Sequence, residues 1–479
     1  MIGTKTIKLL QSLQKEELHR LGRFVRSPFF NYSRPLVLLF DYLRRCHPDF
    51  PEKKLDKKRI WDKVYPGQPF SDNKYWRLCT NFTKLAEKFL VALQLEREPN
   101  EEKKILIRAL GNRNIYDLFE KETLRYLHDR STEPFRDTEY YMDKTRLHFD
   151  YFFHPITNKH TLDDGTLLEL MRSIDKQFAL AKLRIGSELK NRESILSKKY
   201  QADFLEELFD KRFRELLSDN KSFRLFELLF NLYAEKENTG HFLRLKKEVT
   251  AAARELRKID RSLFMTQLIN YAIWQINLGN YRFTKDALDL YKISLEIDMI
   301  VEKGKIEEAV FGNIVTLGCH ANEHQWVEWF IGEYSPYLGE SVRAGTVVYS
   351  RAFVSYSRGD FDNTILLLMQ HRFSSYHQVR TRLLAVRAIF ENFLSENRHY
   401  EFLISQIEAF EKFLRRDDLQ EKRKKNVYAD FLKILKKIAD HQLGAKKKKS
   451  HEQLLLEIQA KKNLTLKNWL LEKMEMIGQ

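Results

Sequence analysis

Between residues 220 and 440 one short signal keeps returning. Asn238-Thr239-Gly240-His241, Leu278-Gly279-Asn280-Tyr281, Arg358-Gly359-Asp360-Phe361 and Glu396-Asn397-Arg398-His399-Tyr400 are all turn-like, and a fifth spot lies at Glu323-His324-Gln325-Trp326. Each separates two stretches whose apolar residues fall three and four apart, the spacing that gathers them on one side of a helix. With Gly240, Gly279, Gln325, Gly359 and Arg398 taken as equivalent, the intervals are 39, 46, 34 and 39 residues. Intervals of this size mark a helical hairpin copied along the chain, because one hairpin cannot bury its apolar side alone and must stack on the next. The rest of the chain agrees. Its 17 glycines and 10 prolines in 479 residues are about half the usual share, and strand-rich folds need many more turn formers. An all-α fold is expected: an N-terminal helical domain, then an α-hairpin solenoid closed by a C-terminal capping helix.

The local patterns resemble tetratricopeptide (TPR) repeats. In YSRGDFDNTILLL, Gly359 stands at the tight turn and Phe361 between the helices, with Thr364 where that family prefers alanine. LGNYRFTKDALDLY shows the same junction with Gly279, Tyr281 and Ala287. NIVTLGCHANEHQWVEWFIGEY keeps the Leu317-Gly318 pair of a first helix and lacks the turn glycine. The repeats are therefore degenerate and TPR-like. SPFFN (Ser27 to Asn31), NIVTLG and the C-terminal NWLLEKM together resemble a family of TPR-like helical-repeat proteins from Bacteroidota-type bacteria. That resemblance implies architecture and carries no activity with it.

Four segments follow. Residues 1–95 read as a basic domain of short helices: Thr6–Arg26, Leu36–Arg45, Asp56–Val64 and Ser71–Leu95. Residues 96–219 form a long-helix region with helices Ile105–Arg130, Thr138–Phe153 and Leu167–Tyr200, and a helix Phe204–Glu235 running into the repeats. Residues 220–440 are the repeats, and 441–479 a lysine-rich linker (Lys446–Lys449) with the capping helix, Leu464–Ile477. Trp469, Leu470, Leu471 and Met474 would cover the last exposed apolar face of the array.

The net charge of +16 is concentrated at the ends. Residues 1–96 hold 19 Lys/Arg against 10 Asp/Glu, residues 411–479 hold 18 against 10, and residues 97–410 hold 46 against 47. Confined basicity points to a local acidic partner or to solubilising termini. On the Ser71–Leu95 helix, Lys74, Arg77, Asn81, Lys84 and Lys88 recur at three and four, forming one basic stripe; Leu78, Phe82, Leu85 and Phe89 form an apolar stripe on another side.

Catalytic patterns fail one by one. His320-Ala-Asn-Glu323-His324 matches an inverted zincin string, which needs both imidazoles on one helical face, yet it falls at an expected inter-helix turn. His148, His154 and His160 recur every six residues, a spacing that does not align side chains on a helix. Phosphate-binding glycine loops and the nucleophile elbow are missing. Cys46, Cys79 and Cys319 make no CxxC pair, which argues against disulfides and thiolate metal sites. Most aromatics belong to the core; Tyr140-Tyr141 and Tyr151-Phe152-Phe153 are candidates for core or contact. No cofactor and no catalysis are expected. The N-terminus lacks the apolar run of a secretion signal and no stretch is long enough to span a bilayer, so a cytoplasmic protein without membrane contact is expected.

The leading expectation is a non-catalytic scaffold that binds a partner protein or peptide on its repeat surface. The alternative is a nucleic-acid-binding regulator using the stripe on Ser71–Leu95. The stretch from LVLLFDYLRR to NFTKLAEKFL loosely resembles the DNA-binding part of bacterial winged-helix regulators, in which a β-hairpin wing follows the recognition helix. The residues that follow here, QLEREPNEEKKILIRAL, read as a further helix.

Overall fold

The computed structural model describes residues 4–157, 165–196, 199–373, 377–396, 399–416, 422–443, 450–461 and 463–478. The expected turn position Arg398, His160 and the Lys446–Lys449 run lie outside the described residues. Among the described residues the regular structure is helical, with no strand. The α-helices are α1 (Thr4–Gln11), α2 (Lys15–Arg26), α3 (Arg34–Arg44), α4 (Lys57–Val64), α5 (Asp72–Arg97), α6 (Pro99–Asn112), α7 (Tyr116–Ser131), α8 (Thr138–Phe152) and α9 (Gly165–Leu196). They continue with α10 (Lys211–Leu216), α11 (Lys221–Ala234), α12 (Thr239–Ala252), α13 (Lys258–Asn277), α14 (Phe283–Glu296), α15 (Glu308–His320) and α16 (His324–Tyr334). The last are α17 (Glu340–Ser357), α18 (Phe361–Gln370), α19 (Gln378–Glu396), α20 (Tyr400–Arg416), α21 (Lys422–Gln442), α22 (His451–Ala460) and α23 (Lys467–Gly478). The chain divides into two compact units, Met1–Ala181 and Lys182–Gln479, with the division inside α9.

In the first unit, α1 to α5 close around one core in which Phe40, Trp61, Tyr75 and Phe82 are fully buried. The expected helix Thr6–Arg26 is two helices. Gln14 opens α2 with a capping box, its backbone N–H donating to the Glu17 carboxylate at 3.0 Å, which supplies a helix start in mid-segment. Asp56 and Ser71 cap α4 and α5 by accepting the N–H groups of Arg59 and Lys74, as their positions before apolar-periodic runs predict. The expected helix Ile105–Arg130 is also split, with Asn114 between α6 and α7 in the left-handed region (φ 55°); Asn tolerates that conformation better than most residues. Behind it, Asp143 on α8 receives Lys104 (2.7 Å), Arg130 (2.8 Å) and the Tyr126 hydroxyl (3.1 Å).

The second unit is built of helical hairpins: α11–α12, α13–α14, α15–α16, α17–α18 and α19–α20, followed by α21 to α23. Three hairpin turns share one backbone device. Gly279 (φ 92°), Asn322 (φ 58°) and Gly359 (φ 80°) adopt the left-handed conformation. The N–H of the next residue then reaches back to a carbonyl five residues earlier, as in Asn280 to Gln275 (3.0 Å), Glu323 to Gly318 (2.9 Å) and Asp360 to Ser355 (3.0 Å). This six-to-one bond satisfies a carbonyl that the helix end leaves orphaned. Asn322 therefore takes the glycine's role in the third hairpin, and the expected Gln325 lies inside α16. Gly240 also differs from expectation: it sits in the first turn of α12, whose start is set by Asn238 accepting the Gly240 N–H at 3.1 Å.

The close approach of α15 and α16 depends on Gly318, since a Cβ there would lie 2.3 Å from Val327 Cγ2. Thr364, where an alanine would suit a TPR repeat, is fully buried. Its hydroxyl donates back to the Asp360 carbonyl (2.8 Å), so the extra polar atom is satisfied. Tyr281, expected between helices, is instead exposed.

Candidate functional site

On α5 the apolar stripe faces the core and the basic stripe faces solvent. Leu78, Phe82, Leu85 and Phe89 are buried, whereas Lys74, Arg77, Asn81, Lys84 and Lys88 are all exposed. None of the four cations makes an ion pair among the described residues, although other nearby cations do: Lys5 pairs with Glu87, Arg20 with Glu96, Lys57 with Asp72 and Arg97 with Glu17. From Lys74 to Lys88 the stripe runs about 21 Å at 1.5 Å per residue. The turn between α2 and α3 is held by Asn31, whose side-chain amide donates to the Val25 carbonyl (2.8 Å) and accepts from the Ser33 N–H (2.8 Å). Phe30 stacks on Phe24 (3.9 Å between centroids), which meets Phe89 edge-on (5.5 Å). This braces a turn on which Phe29 and Tyr32 are 84% and 89% exposed. No strand hairpin follows α5; α6 begins two residues on, so the wing of a winged-helix regulator is not formed there.

In the second unit, first helices pack on one another in part of the array, α15 on α17 and α17 on α19. A cleft of about 890 Å³ opens between α13, α14 and α15. Met265, Ile269 and Val310 give it apolar walls, while Thr266, Asn270 and Asn313 bring polar side chains. Its rim is the segment between α14 and α15, where Glu302 and Lys305 pair through their backbones and Lys303 and Gly304 both have positive φ. A volume of this size, mainly apolar with a few polar groups, suits a peptide segment or a small ligand.

Further along the chain, Tyr349, Phe353 and Tyr356 form a ladder on α17, with centroids 6.4 and 6.5 Å apart. Arg380 and Arg387 of α19 lie over Tyr349 (4.9 Å) and Tyr356 (4.5 Å). The helix α23 lies against this end. Trp469 packs on Phe390 and Phe431, and the Asn468 amide donates to the Tyr281 hydroxyl at 3.1 Å, beyond the end of α13. Leu470 and Met474 are fully buried in the terminal core, as expected of a cap, but α23 also reaches back across several hairpins. The sequence offers one signal for this, the tryptophan and lysine four residues apart; the receiving residues on α17 and α19 are too scattered in the chain to be found that way.

The zincin-like string is divided between two helices. His320 ends α15, Asn322 turns the chain, and His324 opens α16. His324 Nε2 lies 2.9 Å from the Ser357 hydroxyl, and the Glu323 carboxylate pairs with Lys292. Among the described residues no three His, Cys, Asp or Glu side chains gather to hold a metal. Tyr140, Tyr141 and Tyr151 are buried, while Phe153 is exposed. Cys46, Cys79 and Cys319 are buried free thiols, and burial pushes the Cys319 thiol up to about 11, away from the thiolate a nucleophile requires. No helix among the described residues is long and apolar enough to cross a membrane.

Comparison with known protein families, with curated proteins and with solved structures finds no match.

Proposed function

We propose that this chain is a helical-repeat scaffold that binds a segment of a partner protein on the face formed by the first helices of its hairpins. The observation that carries this is the cleft beside Met265, Asn270 and Asn313, whose apolar walls and spaced amides suit a polypeptide. Side-chain amides there bond the backbone groups of an extended segment, and the apolar walls take its side chains. No covalent step is involved. The test is capture from nuclease-treated lysate by the full chain and by an Asn270→Arg, Asn313→Arg variant. A protein retained by the wild type and lost from the variant is the expected result. An unchanged set of captured proteins would remove the cleft from the interaction.

The exposed, unpaired cations of α5 support a second reading, in which the first unit binds nucleic acid. Four phosphate contacts weaken affinity on the order of 100-fold between 50 and 200 mM salt. Fluorescence anisotropy with a labelled oligonucleotide reads this directly. Reversing Lys74, Arg77, Lys84 and Lys88 to Glu should abolish binding; salt-insensitive or unaltered binding would exclude the stripe as the contact.

A further inference from the structure

The SPFFN turn holds two aromatic rings in water. Phe29 and Tyr32 are 84% and 89% exposed, whereas the next most exposed large apolar side chain, Leu456, reaches 64%. The backbone that carries them is fixed. The N–H groups of Phe30 and Asn31 both donate to the Ser27 carbonyl (3.1 and 2.9 Å). The Asn31 amide bridges the Val25 and Ser33 carbonyls (2.8 and 3.2 Å). Phe30 stacks on Phe24 and meets Phe29 edge-on (4.9 Å between centroids). Pro28 and Pro35 restrict the chain on either side, because each locks its own φ. Rings held in this way lose little freedom when a flat group is laid on them.

Their surroundings are cationic. Between Glu17 and Asp41 the chain carries Arg20, Arg23, Arg26 and Arg34 and no acidic residue. Arg20 and Arg26 pair with Glu96 and Asp41. Arg23 and Arg34 are exposed and make no ion pair among the described residues. Ring contacts lead from Phe30 through Phe24 to Phe89, the residue after Lys88, so the turn and α5 rest on the same core. With Lys74, Arg77, Lys84 and Lys88, the first unit therefore presents six cations without an ion pair.

Repeated positive charge matches a partner whose negative charge repeats along its length, and exposed ring faces match its flat groups. A nucleic-acid strand has both, and stacking on aromatic side chains tolerates any base because every base has a π-face. A duplex keeps those faces inside its stack, so only unpaired bases can use the rings.

We propose that the turn at residues 27–33 is a stacking platform for single-stranded nucleic acid, in which Phe29 and Tyr32 take bases and Arg23 and Arg34 take neighbouring phosphates. This rests on the nucleic-acid reading of the first unit and deepens it by defining the ligand as an unpaired strand.

The probe is a fluorescein-labelled single strand of about 16 nucleotides, the upper end of the length that one module of this kind covers. It is titrated into the full chain and followed by anisotropy between about 50 and 200 mM salt. Phe29→Ala with Tyr32→Ala should weaken binding at least about tenfold and leave the salt dependence unchanged, because no charge is removed. Phe29→Tyr with Tyr32→Phe should bind as wild type, and Phe29→Leu with Tyr32→Leu should behave as the alanine pair. Arg23→Gln with Arg34→Gln should make the slope of log affinity against log salt shallower by about 1.4, at about 0.7 per phosphate contact. The matching duplex should bind at least about tenfold more weakly than the single strand. Circular dichroism checks the fold; if the alanine pair perturbs it, the leucine pair replaces it. Single-strand affinity that survives loss of both rings, or a duplex bound as tightly, overturns the proposal and leaves the α5 stripe to its own charge-reversal test. So does binding to phosphatidylserine vesicles, or to a protein from nuclease-treated lysate, that depends on the two rings while the oligonucleotide does not. A wild-type chain that binds no oligonucleotide refutes both this proposal and the reading on which it rests.

Discussion

Two glycines six residues apart on α15 should respond to the same substitution with opposite signs. Replacing a helical glycine by alanine gains about 1 kcal/mol where the new methyl is free of contacts. Gly312 meets that condition, because nothing lies within 4 Å of its Cβ position. Gly318 does not: its Cβ would stand 2.3 Å from Val327 Cγ2, well inside the 3.5–4.0 Å at which carbon atoms attract. Val327 is fully buried and branched at Cβ, so it has few other rotamers to adopt. The two helices must part instead, at a cost near the upper end of the ~1–3 kcal/mol typical of overpacking. The helix gain offsets a third of that and leaves a net loss of about 2 kcal/mol. Urea unfolding of the full chain, followed by circular dichroism, measures both variants. Gly312→Ala should unfold at higher urea than wild type and Gly318→Ala at lower urea. Val327→Ala combined with Gly318→Ala should relieve the overlap, so that the two losses fail to add. If Gly318→Ala is neutral or stabilising, α15 and α16 do not cross as closely as described, and the close hairpin packing at this turn is refuted.

Two further outcomes follow from buried charge. Asp143→Ala strips a shared carboxylate from Lys104, Arg130 and Tyr126 and should cost about 3–5 kcal/mol by thermal or urea unfolding; a loss below about 1 kcal/mol would mean that water replaces the carboxylate. Burial, reinforced by the positive Arg380, holds His377 below the usual imidazole pKa against the opposing pull of Glu308, and burial also lowers His148, whose Nδ1 lacks a hydrogen-bond partner. Both folded values lie under the unfolded value of about 6.5, so stability is complete above that pH and falls as pH drops from 6.5 towards the folded values. The melting temperature should therefore be level from about pH 7 to 8 and decline between about 6.5 and 5; a constant or rising value on acidification would contradict this.

The sequence by itself determined most of what is set by neighbours in the chain. Helical periodicity, few glycines and prolines, and Asp or Ser before apolar runs specify helices and their starts, as at Asp56 and Ser71. It also determined that Lys74, Arg77, Asn81, Lys84 and Lys88 share the solvent side of α5, because the opposite residues are apolar and must be buried. Breaks at Gln14 and Asn114 were not legible, since helical spacing continues across them and only a cap or one left-handed residue interrupts the helix. Nor was the role of Asn322, which stands for a glycine in backbone conformation but not in composition. Tertiary structure alone decided which distant residues meet: the cleft between α13 and α15, and the seat of Trp469 and Lys473 on Tyr356, Arg387 and Glu391. Those contacts join residues tens of positions apart. Their geometry depends on how hairpins stack, and stacking is set by side-chain volumes such as the missing Cβ of Gly318, which no local periodicity records.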